Sequence, residues 1–150
     1  MALRQIRLFG DEILRKKSRE VEVVDEKIKQ ILDDMADTMY NTEDGGGLAA
    51  PQVGILKRLV VIDMGEGLIK LVNPKIIKQE GSQEVVEGCL SNPGVLGKLI
   101  RPEKVTIQAL NEKGEEIILT GTGALAKCFC HEIDHLEGIL FTDLVTEYIK

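Results

Sequence analysis

His131-Glu132-Ile133-Asp134-His135 is the stretch of this chain best equipped for chemistry. It is an H-E-x-x-H pattern on a predicted helix. At about 100° per residue, His135 stands only about 40° round the helix from His131, and Glu132 about 60° beyond His135. All three side chains project into one arc, one turn apart. Two imidazoles so placed can grip a single metal ion, and the carboxylate can reach water held on it. The chain has two histidines in all, both in this motif, which weighs against scattered surface or core histidines.

Two imidazoles do not close a site; a third protein ligand is needed, with one position left open. Cys128 shares the helical face at three residues before His131. A metal midway between the histidines would lie roughly 7 to 8 Å along the axis from it, too far for a cysteine side chain. Cys130 points about 100° away from His131. The third ligand should therefore come from another segment, and Cys89 is the remaining cysteine, in Glu87-Gly88-Cys89-Leu90-Ser91 at the end of a strand. Gly88 beside it lets the backbone turn closely past an ion.

A third motif is Gly45-Gly46-Gly47-Leu48-Ala49-Ala50-Pro51-Gln52. It is not a phosphate loop, because no Lys-Ser/Thr follows and no strand leads into it. Its small residues permit close approach of a substrate backbone, and the Gln52 amide can donate to a developing oxyanion.

The elements that must position these groups are short. Residues 25 to 40 are the clearest helix, with Ile28, Ile31, Leu32, Met35 and Met39 on one face and Asp25 as N-cap. That stripe reads as core packing, not as a functional use of methionine. Arg58 to Asp63, Leu68 to Val72, Lys75 to Gln79 and Glu84 to Val86 read as β runs broken by Gly, Asn and Pro. Lys104 to Leu110 and Glu115 to Leu119 flank Asn-Glu-Lys-Gly as a hairpin. A last helix is predicted from Gly123 to Leu136, with Gly138 as its stop signal. The expected fold class is α+β: one compact domain over residues 1–150, short mostly antiparallel strands around a C-terminal metal-binding helix, and an N-terminal amphipathic helix.

The 150 residues include 43% hydrophobic and 29% charged residues, a globular composition. With two Tyr and three Phe, the core is expected to consist of Ile, Leu, Val and Met. A net charge of −6 argues against broad nucleic-acid binding, and no DNA contact is expected. No apolar run approaches a membrane span and the N-terminus lacks a signal-peptide pattern, so the expected location is the cytoplasm. Three cysteines in a reducing compartment point to metal binding or burial before disulfides.

Taken in order, GGGLAAPQ at 45–52, EGCLS at 87–91 and CHEIDHLEG at 130–138 resemble the peptide deformylase pattern G-x-G-L-A-A-x-Q, E-G-C-L-S, Q-H-E-x-D-H-L-x-G. The resemblance runs from the Gly10-Asp11 turn to Leu140-Phe141. It implies removal of the N-formyl group from the N-terminal methionine of nascent polypeptides emerging from the ribosome. It implies metal ligation by Cys89, His131 and His135, with Glu132 as general base and then acid. The Leu90 backbone N–H and the Gln52 side chain would hold the oxyanion. Gly46 and Gly47 would pair with the substrate backbone, Lys127 and Cys128 would line the methionine pocket, and Arg101 would pair with Glu87 behind the site. Ligand type alone suits zinc. The resemblance implies one Fe²⁺ per chain, with Zn²⁺, Ni²⁺ or Co²⁺ able to substitute.

Three departures stand out. Gly46 replaces the usual aliphatic residue, which removes apolar contact near the methionine pocket. Cys130 replaces Gln before the metal motif, which weakens hydrogen bonding around the ligands. The chain also ends twelve residues after Gly138. Two other readings share the motif: another H-E-x-x-H metallopeptidase, and a relative that binds metal or formylated peptides without useful turnover. Cys89 and Gln52 speak against the first; the Gly46 and Cys130 departures are the case for the second.

Overall fold

The first helix forms where the apolar period places it. In the computed structural model, which describes residues 3–42 and 46–149, α1 spans Glu26–Tyr40. Asp25 caps it, accepting a 3.0 Å hydrogen bond from the Ile28 N–H. Ile28, Ile31, Leu32, Met35 and Met39 are all buried, as the stripe required. Gly45, the first residue of the glycine motif, lies outside the described residues.

The strands are β1 (Gly47–Ala49), β2 (Leu59–Ile62), β3 (Ile69–Glu80), β4 (Gln83–Cys89), β5 (Asn92–Arg101), β6 (Lys104–Leu110), β7 (Glu116–Thr122) and β8 (Glu147–Ile149). They form a five-stranded sheet in the order β1-β2-β3-β6-β7 and a three-stranded sheet β4-β5-β8. Every pairing between named strands is antiparallel. Helix α2 (Ala124–Leu136) packs against β1, β6 and β7 of the larger sheet and touches β5 of the smaller. It is therefore buried nearly all round, and its motif lies between the two sheets. The α+β reading holds.

Several sequence expectations are corrected. Leu68–Val72 and Lys75–Gln79 are one strand, not two. Asn73, at φ 52°, bulges within it and exchanges two 2.8 Å hydrogen bonds with the Val21 backbone, so Asn-Pro re-aims the strand without ending it. Strand β5 was not among the β runs expected from the sequence, and Pro93, Gly94 and Gly97 are residues that disfavour a strand. Pro93 sits at the strand's start, where no ladder donor is lost, and Gly97 is small because a Cβ there would meet Val145 at 2.6 Å. A strand, β1, lies inside the glycine motif. Two aromatics join the aliphatic core: Phe129 and Phe141 are among its largest fully buried side chains.

Candidate metal centre and active site

Three elements deliver the chemical groups. Strand β4 ends in Cys89, and a register shift between Glu87 and Cys89 precedes the turn at Leu90-Ser91. Helix α2 brings His131, Glu132 and His135. A 3₁₀ turn, Ala50–Val53, carries Gln52 directly after β1. The Cys89 sulfur and one ring nitrogen from each of His131 and His135 lie within 4.8 Å of one another. Cys128 is not among them, as the helix geometry required. Its sulfur lies 3.9 Å from the Gly46 carbonyl, and burial holds its thiol well above the ordinary range. Cys130 faces away and packs in the core, its thiol pushed up to about 11 by burial.

The donor set fits a metal ion. His131 Nδ1 lies 2.6 Å from Glu87 Oε1, which fixes Nδ1–H as donor and leaves Nε2 free to ligate. Cys89 Sγ lies 3.4 Å from His135 Nε2. Burial drives His135 well below its ordinary pKa, toward the neutral form a ligand needs. Burial also disfavours charge on His131, but hydrogen bonds to Cys89 and Glu87 outweigh it and raise the group to about 10. A cation entering here would therefore displace a proton.

Behind His131 is a buried ion network. Arg101 donates to both oxygens of Glu87, at 2.7 and 3.0 Å, and to Asp134 Oδ2 at 2.7 Å. Burial alone would raise Glu87, but its bonds from His131 and Arg101 prevail and hold it at about 2. Glu87 thus stays anionic, which anchors the imidazole. Glu132 is in a different setting. It is 4% exposed, its Oε1 has no hydrogen-bond partner among the described residues, and burial raises it to about 7. A carboxyl poised there can accept and return a proton near neutrality.

These groups border a cavity of about 580 Å³. Gln52, Cys89, Leu90, His131 and Glu132 line it, and so do the four expected substrate residues Gly46, Gly47, Lys127 and Cys128. His135 is 1% exposed and lies beneath it. Gln52 is locked: Oε1 accepts from Ala49 N–H at 3.0 Å, and Nε2 donates to Ser91 Oγ at 3.1 Å and approaches Cys89 Sγ at 3.4 Å. A Cβ on Gly47 would stand 2.7 Å from Glu132 Oε2, so only glycine leaves that carboxylate room. Lys127 Nζ reaches the Val86 carbonyl at 3.3 Å, leaving its stem along the cavity.

The family resemblance implied the Arg101–Glu87 pair, but three partners were missed: the Glu87–His131 bond, Asp134 on the far side of Arg101, and Ser91 beside Gln52. The first was findable. Glu87 and Cys89 are two apart on a strand, so one face offers both.

A profile of the polypeptide deformylase family matches residues 3–149. Peptide deformylase 2 of Clostridium acetobutylicum is 78% identical over 150 residues, covering 100% of both chains. A peptide deformylase of Acetivibrio thermocellus is 60% identical over 149 residues, 99% of this chain and 87% of its own. The crystal structure of peptide deformylase from Thermotoga maritima superposes with a TM-score of 0.94 at 38% identity, covering 97% of this chain and 99% of that one. One from Synechococcus elongatus, in complex with actinonin, gives 0.92 at 42% identity, covering 96% and 79%.

Proposed function

The chain belongs to the polypeptide deformylase family, and from that premise we propose that Cys89, His131 and His135 hold one ferrous ion beside Glu132, which moves the proton. The protein is a peptide deformylase, a metalloenzyme that hydrolyses the N-formyl group from the N-termini of nascent polypeptides. The observation that carries the site assignment is a thiol and two imidazoles within 4.8 Å, next to a buried carboxylate with one oxygen unpartnered among the described residues.

A bound metal supplies Lewis acidity, making water a nucleophile near neutral pH. Glu132 accepts a proton from the attacking water and returns it to the departing amine, so water and the formamide become formate and a free N-terminus. The Gln52 amide, already aimed past Cys89, and the Leu90 N–H receive the charge developing on the formyl oxygen. The backbone of Gly46 and Gly47 pairs with the peptide as an added strand on β1, an edge of its sheet. Lys127, through its stem, and Cys128 line the pocket for the methionine side chain. The substrates are formyl-methionyl peptides leaving the ribosome in the cytoplasm. No helix of the described residues is long and apolar enough to cross a membrane.

A third donor supplied by a cysteine from a separate strand also sets this centre apart from a zinc peptidase. The test is to strip the metal, reload with Fe²⁺ or Zn²⁺ under nitrogen and measure formate released from formyl-Met-Ala-Ser. The iron form is expected to be much the more active, and nickel or cobalt to serve as air-stable substitutes. Equal or greater activity with zinc would overturn the iron assignment.

A further inference from the structure

Gly46 leaves one wall of the cavity without a side chain. Gly46 directly precedes β1. The Cβ that Gly47 lacks would point at Glu132 and Cys128, whereas the one that Gly46 lacks would point at Met64. The Met64 sulfur lies 2.9 Å from that empty Cβ position, and its terminal carbon 3.9 Å. Both Met64 and Gly46 line the cavity.

We propose that Met64 is a specificity-determining residue. Its thioether stands where an aliphatic side chain at position 46 would otherwise close the cavity, and it contacts the side chain of the substrate's first residue. The inference rests on the reading that this cavity takes a formyl-methionyl N-terminus.

The placement of Met64 is built into the loop that carries it. Asp63 accepts hydrogen bonds from the Gly65 and Gly67 N–H groups at 2.8 and 3.4 Å and from Tyr40 Oη, which folds residues 63–67 into a turn. The Asp63 N–H donates to the Gly46 carbonyl at 2.9 Å. The turn is thus stitched to the residue whose missing side chain Met64 replaces. Met64 is still 41% exposed, so one side of its chain is free to meet a ligand. An unbranched thioether adapts to an irregular gap better than a branched residue does, and it offers polarizable contact to another methionine. In place of a side chain at position 46, the wall is formed by an unbranched, adaptable one from a neighbouring loop.

The exchange is tested with three variants, Met64→Ala, Gly46→Val and the double variant. Each is assayed on formyl-Met-Ala-Ser and formyl-Ala-Ala-Ser, with metal content and melting temperature measured alongside. Formyl-Met-Ala-Ser binding to the same substitutions in a Glu132→Gln background is measured by calorimetry. Met64→Ala is expected to lower the preference in kcat/KM for methionine over alanine about tenfold, mainly through KM, and to weaken calorimetric binding in step. It should keep its metal and its melting temperature. Adding Gly46→Val to Met64→Ala should restore most of the preference, because the valine then occupies the space the thioether left. An unchanged preference in Met64→Ala, or a double variant no better than Met64→Ala, overturns the proposal while leaving formyl hydrolysis standing. Absence of formate from the wild type with any metal overturns the proposal and the deformylase reading together.

Discussion

Each side chain at the centre has a chemical state set by its surroundings. Glu87 and Glu132 are both buried carboxyls on the same cavity, yet one is held at about 2 and the other raised to about 7. The difference is partnership: Glu87 receives His131 and Arg101, while Glu132 Oε1 receives nothing among the described residues. That His131, Glu132 and His135 share one arc was legible because helical spacing fixes which side chains project together, whereas Cys89 on β4 entered only as the remaining cysteine and through the family resemblance. Gln52 was legible only as a donor near small residues; that its carbonyl end is tied to Ala49 N–H and its amide to Ser91 needed the fold. Two outcomes follow at this scale. Cys89→Ala should lose the metal and Cys128→Ala should keep it, read by elemental analysis of the purified proteins; the opposite pattern would displace Cys89 as a ligand. Gln52→Leu should lower kcat by about 10²-fold if the amide holds the oxyanion. A raised KM at constant kcat would make Gln52 a binding residue only.

Arg101 shows what an element contributes. It ends β5, and its guanidinium joins Glu87 of β4 to Asp134 of α2. The network thereby fixes the helix that carries both imidazoles against the smaller sheet. Arg101→Met would leave the Glu87 charge buried with only His131 beside it. The expected cost is about 3–5 kcal/mol of stability, read by denaturant unfolding. Metal affinity should fall about 10- to 100-fold, because Glu87 loses the groups that orient it toward His131. Full retention of both would mean that β4 and α2 hold their places without the bridge. The element that carries Arg101 was also the hardest to see. Local residue preferences mark Pro93, Gly94 and Gly97 as breakers, but contacts distant in sequence decide the outcome, with β4 on one side and β8 on the other. Helix α1, whose period is unbroken and whose cap is local, needed no such context.

Across the whole molecule, a pair far apart in sequence straps the N-terminal segment to the chain's end. Arg15 donates to both oxygens of Asp143, at 2.5 and 3.0 Å, and Gly138 lets α2 exit closely past the Arg15 backbone. The bond from Arg15 holds Asp143 below its ordinary value of 3.8. A carboxyl depressed on folding stabilises fully above its unfolded pKa, and that contribution is lost as pH falls through the folded one. The melting temperature of Arg15→Met should therefore lie slightly below that of the wild type at neutral pH. The gap, less than about 1 kcal/mol for so exposed a pair, should close below pH 3.8. A gap that persisted in acid would mean that Arg15 acts by packing alone. The strap was invisible in the sequence, where 128 positions separate its partners. That one cavity would gather the three motifs was foreseen only through the family resemblance that their order carries.

The central claim is that a metal held by Cys89, His131 and His135 works with Glu132 to hydrolyse a formyl group. The most direct measurement is formate release from formyl-Met-Ala-Ser by Fe²⁺-loaded Glu132→Gln beside the wild type, with metal content determined on the same samples. The expected result is one metal per chain in both proteins and at least about 10²-fold less formate from the variant. Near-normal formate from a fully loaded Glu132→Gln would contradict the account.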